Sequence, residues 1–206
     1  MYARSTSIQG DPGQVDECIS FVREEVMPAV TDMDGCIGMS MLVNRDTGRC
    51  IATSSWMSED EMRATDGRVS SLRTRAAEIM GGDVEVKEWE IAVMHREHEA
   101  REGSWCRITW LRCPPAEVDS TLDYFRDTVL AKLEDVEGFC SASMLVDRES
   151  GQCCGTARFE SREDLEATRE FAQGMRDQRA RESGVEFGEI DECELVIAHL
   201  RVPELV

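Results

Sequence analysis

The sequence predicts an α+β fold: two tandem β-α-β-β-α-β units forming one pseudo-dimeric barrel, a dimer written into a single chain. Three observations predict it. A ten-residue stretch occurs twice, MLVNRDTGRC from Met41 to Cys50 and MLVDRESGQC from Met144 to Cys153, 103 positions apart. The correspondence then extends in both directions. Arg4 matches Arg107, Gly35 matches Gly138 and Ala64-Thr65 matches Ala167-Thr168; after one inserted residue, Glu88, Glu90 and His95 match Glu192, Glu194 and His199. A period of half the chain marks a duplicated domain rather than a solenoid, whose repeats run to about 20–50 residues. Finally, the apolar pattern of each copy passes through alternation and helical spacing in the same order.

In the first copy, Tyr2 to Ile8 reads as a strand and GDPG breaks it. Val15, Ile19, Val22, Val26 and Val30 follow at spacings of three and four, an amphipathic helix that ends before Asp34-Gly35. Ile37–Val43 and Cys50–Trp56 form a hairpin around the NRDTG turn. Ser58-Glu-Asp-Glu61 is a capping box that opens a helix carrying Met62, Val69, Leu72, Ala76 and Ile79. Val84 to Met94 closes the unit as a strand, with Trp89, Ile91 and Val93 alternating against Glu88, Glu90 and Ala92. The second copy repeats the order from Trp105, with Ser161 to Asp164 as its capping box. The expected boundaries are residues 1–97, a polar linker over 98–104, and residues 105–206. Each copy is a ferredoxin-like unit, one antiparallel sheet with both helices on one face. The open face of each sheet needs a partner, and fusion supplies one within the chain.

Composition narrows the function. The chain is 41% hydrophobic and 32% charged with a formal charge of −19, an unfavourable balance for nucleic acid or an anionic membrane surface. No apolar run reaches membrane-spanning length. The first residues, MYARSTSIQGDPG, lack the basic start and apolar stretch of a signal peptide, so a cytoplasmic location is expected. The nine cysteines form no CxxC pair, and reduced, buried thiols are expected there.

Gly35-Cys-Ile-Gly-Met39, the hairpin, and Ser55-Trp56-Met-Ser-Glu-Asp60 together resemble the antibiotic biosynthesis monooxygenase family of dimeric α+β barrels. The second copy keeps Gly138 and Ser161 and carries Phe159 in place of Trp56. The resemblance implies a small-ligand-binding barrel, or cofactor-independent oxidation of a small aromatic or polyketide-like molecule. Haem-degrading relatives pair the strand-end Trp with a following His and a first-strand Asn. Here Ala64, Thr65 and Gly67 occupy the region after Trp56, so that activity is not expected.

The candidate site residues recur in both copies. Arg4 and Arg107 could clamp an anion, since a guanidinium offers paired donors; the plainer reading is an ion pair with the acidic strands at Glu88/Glu90 and Glu192/Glu194. His95 and His199 carry the right acidity for a general base; a structural strand-end role is the alternative. Trp56 and Phe159 are candidate substrate-stacking residues or barrel-end core. Arg45 and Arg148 read as solvated turn residues. No metal site follows from the His and Cys spacing, and no phosphate-binding loop suggests a nucleotide cofactor; none is expected. The expected partner is a small molecule.

Overall fold

The computed structural model of the chain describes residues 1–99 and 101–206; Ala100, inside the expected linker, lies outside the described residues. The first copy runs β1 (Tyr2–Gln9), α1 (Val15–Phe21), α2 (Met27–Thr31), β2 (Cys36–Asn44), β3 (Arg49–Trp56), α3 (Glu59–Ala64), α4 (Asp66–Met80) and β4 (Asp83–Arg96). The second runs β5 (Trp105–Arg112), α5 (Val118–Tyr124), α6 (Ala131–Leu133), β6 (Phe139–Asp147), β7 (Gln152–Phe159), α7 (Arg162–Ala167), α8 (Arg169–Glu182) and β8 (Glu186–Leu200). The strand order β1-β3-β2-β8-β5-β7-β6-β4 is that of a closed eight-stranded barrel, so the α+β barrel fold is present.

The compact units are not simply the two halves of the sequence. One comprises Met1–Trp89 with Glu194–Val202, the other Glu90–Cys193 with Pro203–Val206. The long fourth strands of the two repeats, 14 and 15 residues, therefore each begin in one unit and end in the other. In the first unit β3 pairs antiparallel with both β1 and β2, and β2 pairs with the end of β8, from Gly38 opposite Leu200 to Val43 opposite Glu194. In the second, β7 pairs with β5 and β6, and β6 pairs with the end of β4, from Arg96 opposite Ser141 to Glu90 opposite Val146.

Two irregularities recur and were not anticipated from the alternating pattern. Ala92 and Val196 fall at register shifts between their neighbours' pairings, each a one-residue bulge. The first helix of each repeat also widens by one residue per turn, over Val22–Val26 and Phe125–Leu130, instead of holding one α-helical stripe. The two features meet. Arg23, on the first widened turn, donates from Nη2 to the Val196 carbonyl at 2.5 Å, and Arg126, on the second, donates to the Ala92 carbonyl at 3.1 Å. Bulging frees a strand carbonyl, and an arginine satisfies it.

Each capping box forms with a variation. The Ser58 hydroxyl accepts from the Glu61 amide and donates to the Glu61 carboxylate at 2.7 Å; Ser161 and Asp164 repeat the arrangement at 2.6 Å. The helix that follows is not continuous. It breaks at Thr65 and again at Thr168, with α4 and α8 starting immediately after.

Each unit has its own core between helices and sheet. Phe21, Val22, Met41, Trp56 and Met62 belong to the first, and Leu122, Phe125, Met144, Phe159 and Leu165 to the second. The opposite face of the same strands is buried as well, with Ser5, Ser40, Leu42 and Ile51 in the first unit and Ile108, Ser143 and Leu145 in the second. No helix among the described residues is long and apolar enough to cross a membrane.

Candidate binding cavities

Each unit holds a cavity between its helices and its sheet. The first, about 70 Å³, is lined by Arg4, Ile8, Cys18, Met41, Trp56 and Arg73 among others. The second, about 120 Å³, is lined by Arg107, Tyr124, Phe125, Met144, Phe159 and Arg176 among others. The structure thus brings Arg4 together with Trp56, and Arg107 together with Phe159.

Lining residues explain the difference in volume. Trp56 is fully buried and donates from Nε1 to Ser54 Oγ at 3.0 Å. The matching positions hold Phe159 and Ala157, so the indole and its hydroxyl partner are lost together. Ala52 of the first lining is matched by Gly155 in the second. Each exchange removes volume from the wall, and a wall of packed side chains does not fully close around missing atoms.

Arg4 and Arg107 occupy equivalent frames. Arg4 donates to Glu88 through Nε at 3.1 Å and Nη2 at 2.7 Å, and to Thr65 Oγ1 at 3.1 Å. Arg107 donates to Glu192 at 3.1 and 2.8 Å, to Thr168 Oγ1 at 2.6 Å and to the Leu165 carbonyl at 3.0 Å. The helix break at each Thr is what puts its hydroxyl within reach of the arginine. Burial works to raise the Glu88 carboxyl, and the bonds from Arg4 and Arg63 outweigh it, leaving it below its ordinary range. At Glu192 burial is likewise overcome, by Arg169 and Arg107. Glu90 and Glu194 lie elsewhere. They bond Arg148 at 2.6 Å and Arg45 at 3.2 Å, and these same arginines reach Asp119 and Asp16 on the first helices. The hairpin arginines are exposed, as expected, and are ion-paired as well.

Beyond the arginines common to both cavities, the charges diverge. In the first unit Arg73 bonds Asp66 at 2.7 Å, a bond that holds the Asp66 carboxyl below its usual range. The second unit has Arg176 in place of Arg73 and Arg169 in place of Asp66. Arg169 turns instead to Glu192, at 2.5 Å. Arg179 replaces the buried Ala76. Its guanidinium lies 4.6 Å from the centre of the Tyr124 ring, a cation–π distance, while its Nε is buried without a hydrogen-bond partner. Thr121 Oγ1 is also buried and unpartnered. Sequence reasoning missed Thr121, Arg169, Arg176 and Arg179; aligning the repeats position by position and asking where charge changes would have found Arg169 and Arg179.

The two histidines do not line these cavities. His95 stacks on Phe139 with ring centres 6.2 Å apart. Its Nε2 is 3.1 Å from Glu134 and 3.7 Å from Glu97, and its Nδ1 is 3.2 Å from Glu204. His95, Glu97 and Glu134 offer donor atoms within 4.8 Å of one another, a spacing that could hold a metal ion, and both carboxylates are exposed. His199 sits on β8 opposite Met39. None of the nine cysteines is in a disulfide, and eight are buried. Burial is the main cause that pushes Cys153 up to about 12, whereas a hydrogen bond with Cys50 lowers Cys18.

The comparisons agree with this architecture. Residues 1–68 match the antibiotic biosynthesis monooxygenase family. Uncharacterized protein Rv2557 of Mycobacterium tuberculosis H37Rv is 48% identical over 100% of this chain and 92% of its own length. Uncharacterized protein Rv2558 of the same strain is 45% identical over 100% of this chain and 88% of its own. The chain belongs to the tandem antibiotic biosynthesis monooxygenase-like family. A solved anthrone oxidase-like protein superposes with a TM-score of 0.69 at 15% identity, covering 96% of this chain and 92% of that one. A monooxygenase-like protein of Listeria innocua gives 0.53 at 10% identity, over 94% and 93%. At such identities these two likenesses carry the fold and not the chemistry.

Proposed function

We propose that the protein binds a small, largely aromatic molecule in the cavity of the second unit, in the cytoplasm, and that the first unit serves mainly as a packed counterpart. Arg107, Phe159, Tyr124 and Phe125 are the binding residues on this reading. The observation that carries it is the wall itself: an apolar cavity of about 120 Å³ into which a few polar groups converge, the usual make-up of a ligand site. Arg4 and Trp56 keep the same frame around a smaller space. His95 and His199 receive no proton-transfer role, since the cavity walls do not include them. Nine cysteines outside any disulfide suit a reducing compartment.

Methyl-labelled methionine NMR tests this. Titration with phenol or hydroquinone should shift Met144 and Met175 and leave Met39 and Met41 in place. Unmoved Met144 and Met175, or equal shifts in both units, would overturn the reading.

Cofactor-independent oxidation is the second reading, favoured by the family match over residues 1–68. A guanidinium near a phenol favours its anion, the form that hands an electron to oxygen most readily. Oxygen uptake with hydroquinone and no added cofactor decides between binding alone and turnover.

A further inference from the structure

We propose that the second-unit cavity takes a single-ring aromatic carboxylate, with the ring against Phe125, Met144 and Phe159 and the carboxylate held by Arg176 and Arg179. This rests on reading that cavity as a ligand site. Volume sets the ring: about 120 Å³ approaches the roughly 150 Å³ of an apolar protein cavity that holds benzene.

Charge sets the acid. Arg107, Arg169, Arg176 and Arg179 all belong to this region of the unit, and the carboxylate that bonds two of them, Glu192, is shared by Arg107 at 2.8 Å and Arg169 at 2.5 Å. Arg176 interacts with Asp177 and Glu192 only through space, without a hydrogen bond to either among the described residues. Arg179 is stacked on Tyr124, and its Nε is buried and unpartnered. Thr121 Oγ1 is a second unpartnered polar atom on the same wall. An unpaired buried donor is costly, and a carboxylate satisfies guanidinium donors two at a time. Burial first, and the neighbouring Arg107 charge second, make the Arg176 cation less favourable than usual, a situation that an anion relieves.

The first unit shows what the same frame looks like with its own anion. There Asp66 takes the place of Arg169 and bonds Arg73 at 2.7 Å, and Ala76 stands where Arg179 does. The second unit has lost that internal counter-ion and gained a cation.

Benzoate and benzamide share a shape and differ in charge, so titrating each into the full-length protein by calorimetry or ligand-observed NMR isolates the acid. Benzoate is expected to bind about tenfold or more tightly than benzamide, the scale of one charge-assisted hydrogen bond. R179A copies Ala76 of the first unit and should remove most of that preference, read as the ratio of benzoate to benzamide affinity in the same variant. R169D copies Asp66, gives Arg176 an internal partner, and should do the same; it decides the matter if R179A fails to fold. Equal affinities for the two probes would overturn the acid and leave the cavity reading standing. Binding of neither would overturn both. A preference unchanged in both variants would place the acid elsewhere and overturn the assignment.

Discussion

In the first unit Trp56 bonds Ser54 and Asp66 answers Arg73; at the matching places the second unit has Phe159, Ala157 and Arg169. The frame around these positions is unchanged. Arg4–Glu88–Thr65 and Arg107–Glu192–Thr168 keep the same donors and acceptors, at 2.7 and 2.8 Å to the glutamate and 3.1 and 2.6 Å to the threonine. The comparison separates two kinds of residue. Those that join strand to helix were held in both copies, because a buried arginine without its carboxylate is expensive wherever it sits. Those that only fill or charge the cavity were free to diverge, and they diverged toward a tight neutral space in one unit and a wider cationic one in the other.

The harshest way to break the comparison is to separate the copies. A chain ending at residue 97 lacks Glu194–Val202, which belong to the first unit and carry the β8 ladder on β2. It should give no folded monomer by circular dichroism and light scattering, only aggregate or a self-paired form. A stable monomer at tens of micromolar would show that the first unit does not need those residues.

The next largest effect tests the shared frame. Arg4→Met and Arg107→Met each strand a half-buried carboxylate and a buried Thr hydroxyl, and each should cost about 3 kcal/mol in urea unfolding, the lower end for breaking a buried pair, because Arg63 or Arg169 still bonds the glutamate. The two costs should agree within about 1 kcal/mol, the usual worth of a single extra hydrogen bond. A near-neutral Arg107→Met would break the claim that the frames are equivalent.

The smallest effect sharpens the comparison of volumes. Gly155→Ala copies Ala52; Gly155 lacks a positive φ, and the added methyl meets the flexible end of Met144 at 3.3 Å and the Phe125 ring at an ordinary contact of 3.9 Å. It should stabilise the protein by about 0.4–1 kcal/mol through the unfolded state while weakening phenol binding. Thermal unfolding and the same NMR titration read both, and a rise in affinity would show that the site lies elsewhere.

Much of the fold was legible because it rests on near neighbours in sequence. Asn44 Oδ1 accepts from the amides of Asp46 and Thr47, and Gly48 takes φ = 75°, so the NRDTG turn carries its own geometry. The capping serines act three residues away. The helix breaks at Thr65 and Thr168 were visible only as an unexplained repeat, since their reason is an arginine 61 residues distant. The bulges at Ala92 and Val196 left no mark on the alternation of apolar residues; each is tied to an arginine on a helix far away in sequence. Arg45 and Arg148 are exposed turn residues, as read, but nothing local shows Asp16 or Asp119 at 2.5 and 2.8 Å. For the cavities, the sequence marked Arg4, Arg107, Trp56 and Phe159 through repetition. Repetition cannot mark Arg169 or Arg179, which matter because their counterparts differ.

By itself, then, the sequence determined the duplicated β-α-β-β-α-β order, the hairpins and the helix starts, all set by periodicity and by hydrogen bonds that span a few residues. Only the tertiary structure decided where the long strands pass from one compact unit to the other, which carboxylate each arginine takes, and which cavity stays open. Those outcomes depend on distances between residues 23 to 173 positions apart, and the strengths of charge pairing and packing fall off with distance in space, which the order of residues along the chain does not record.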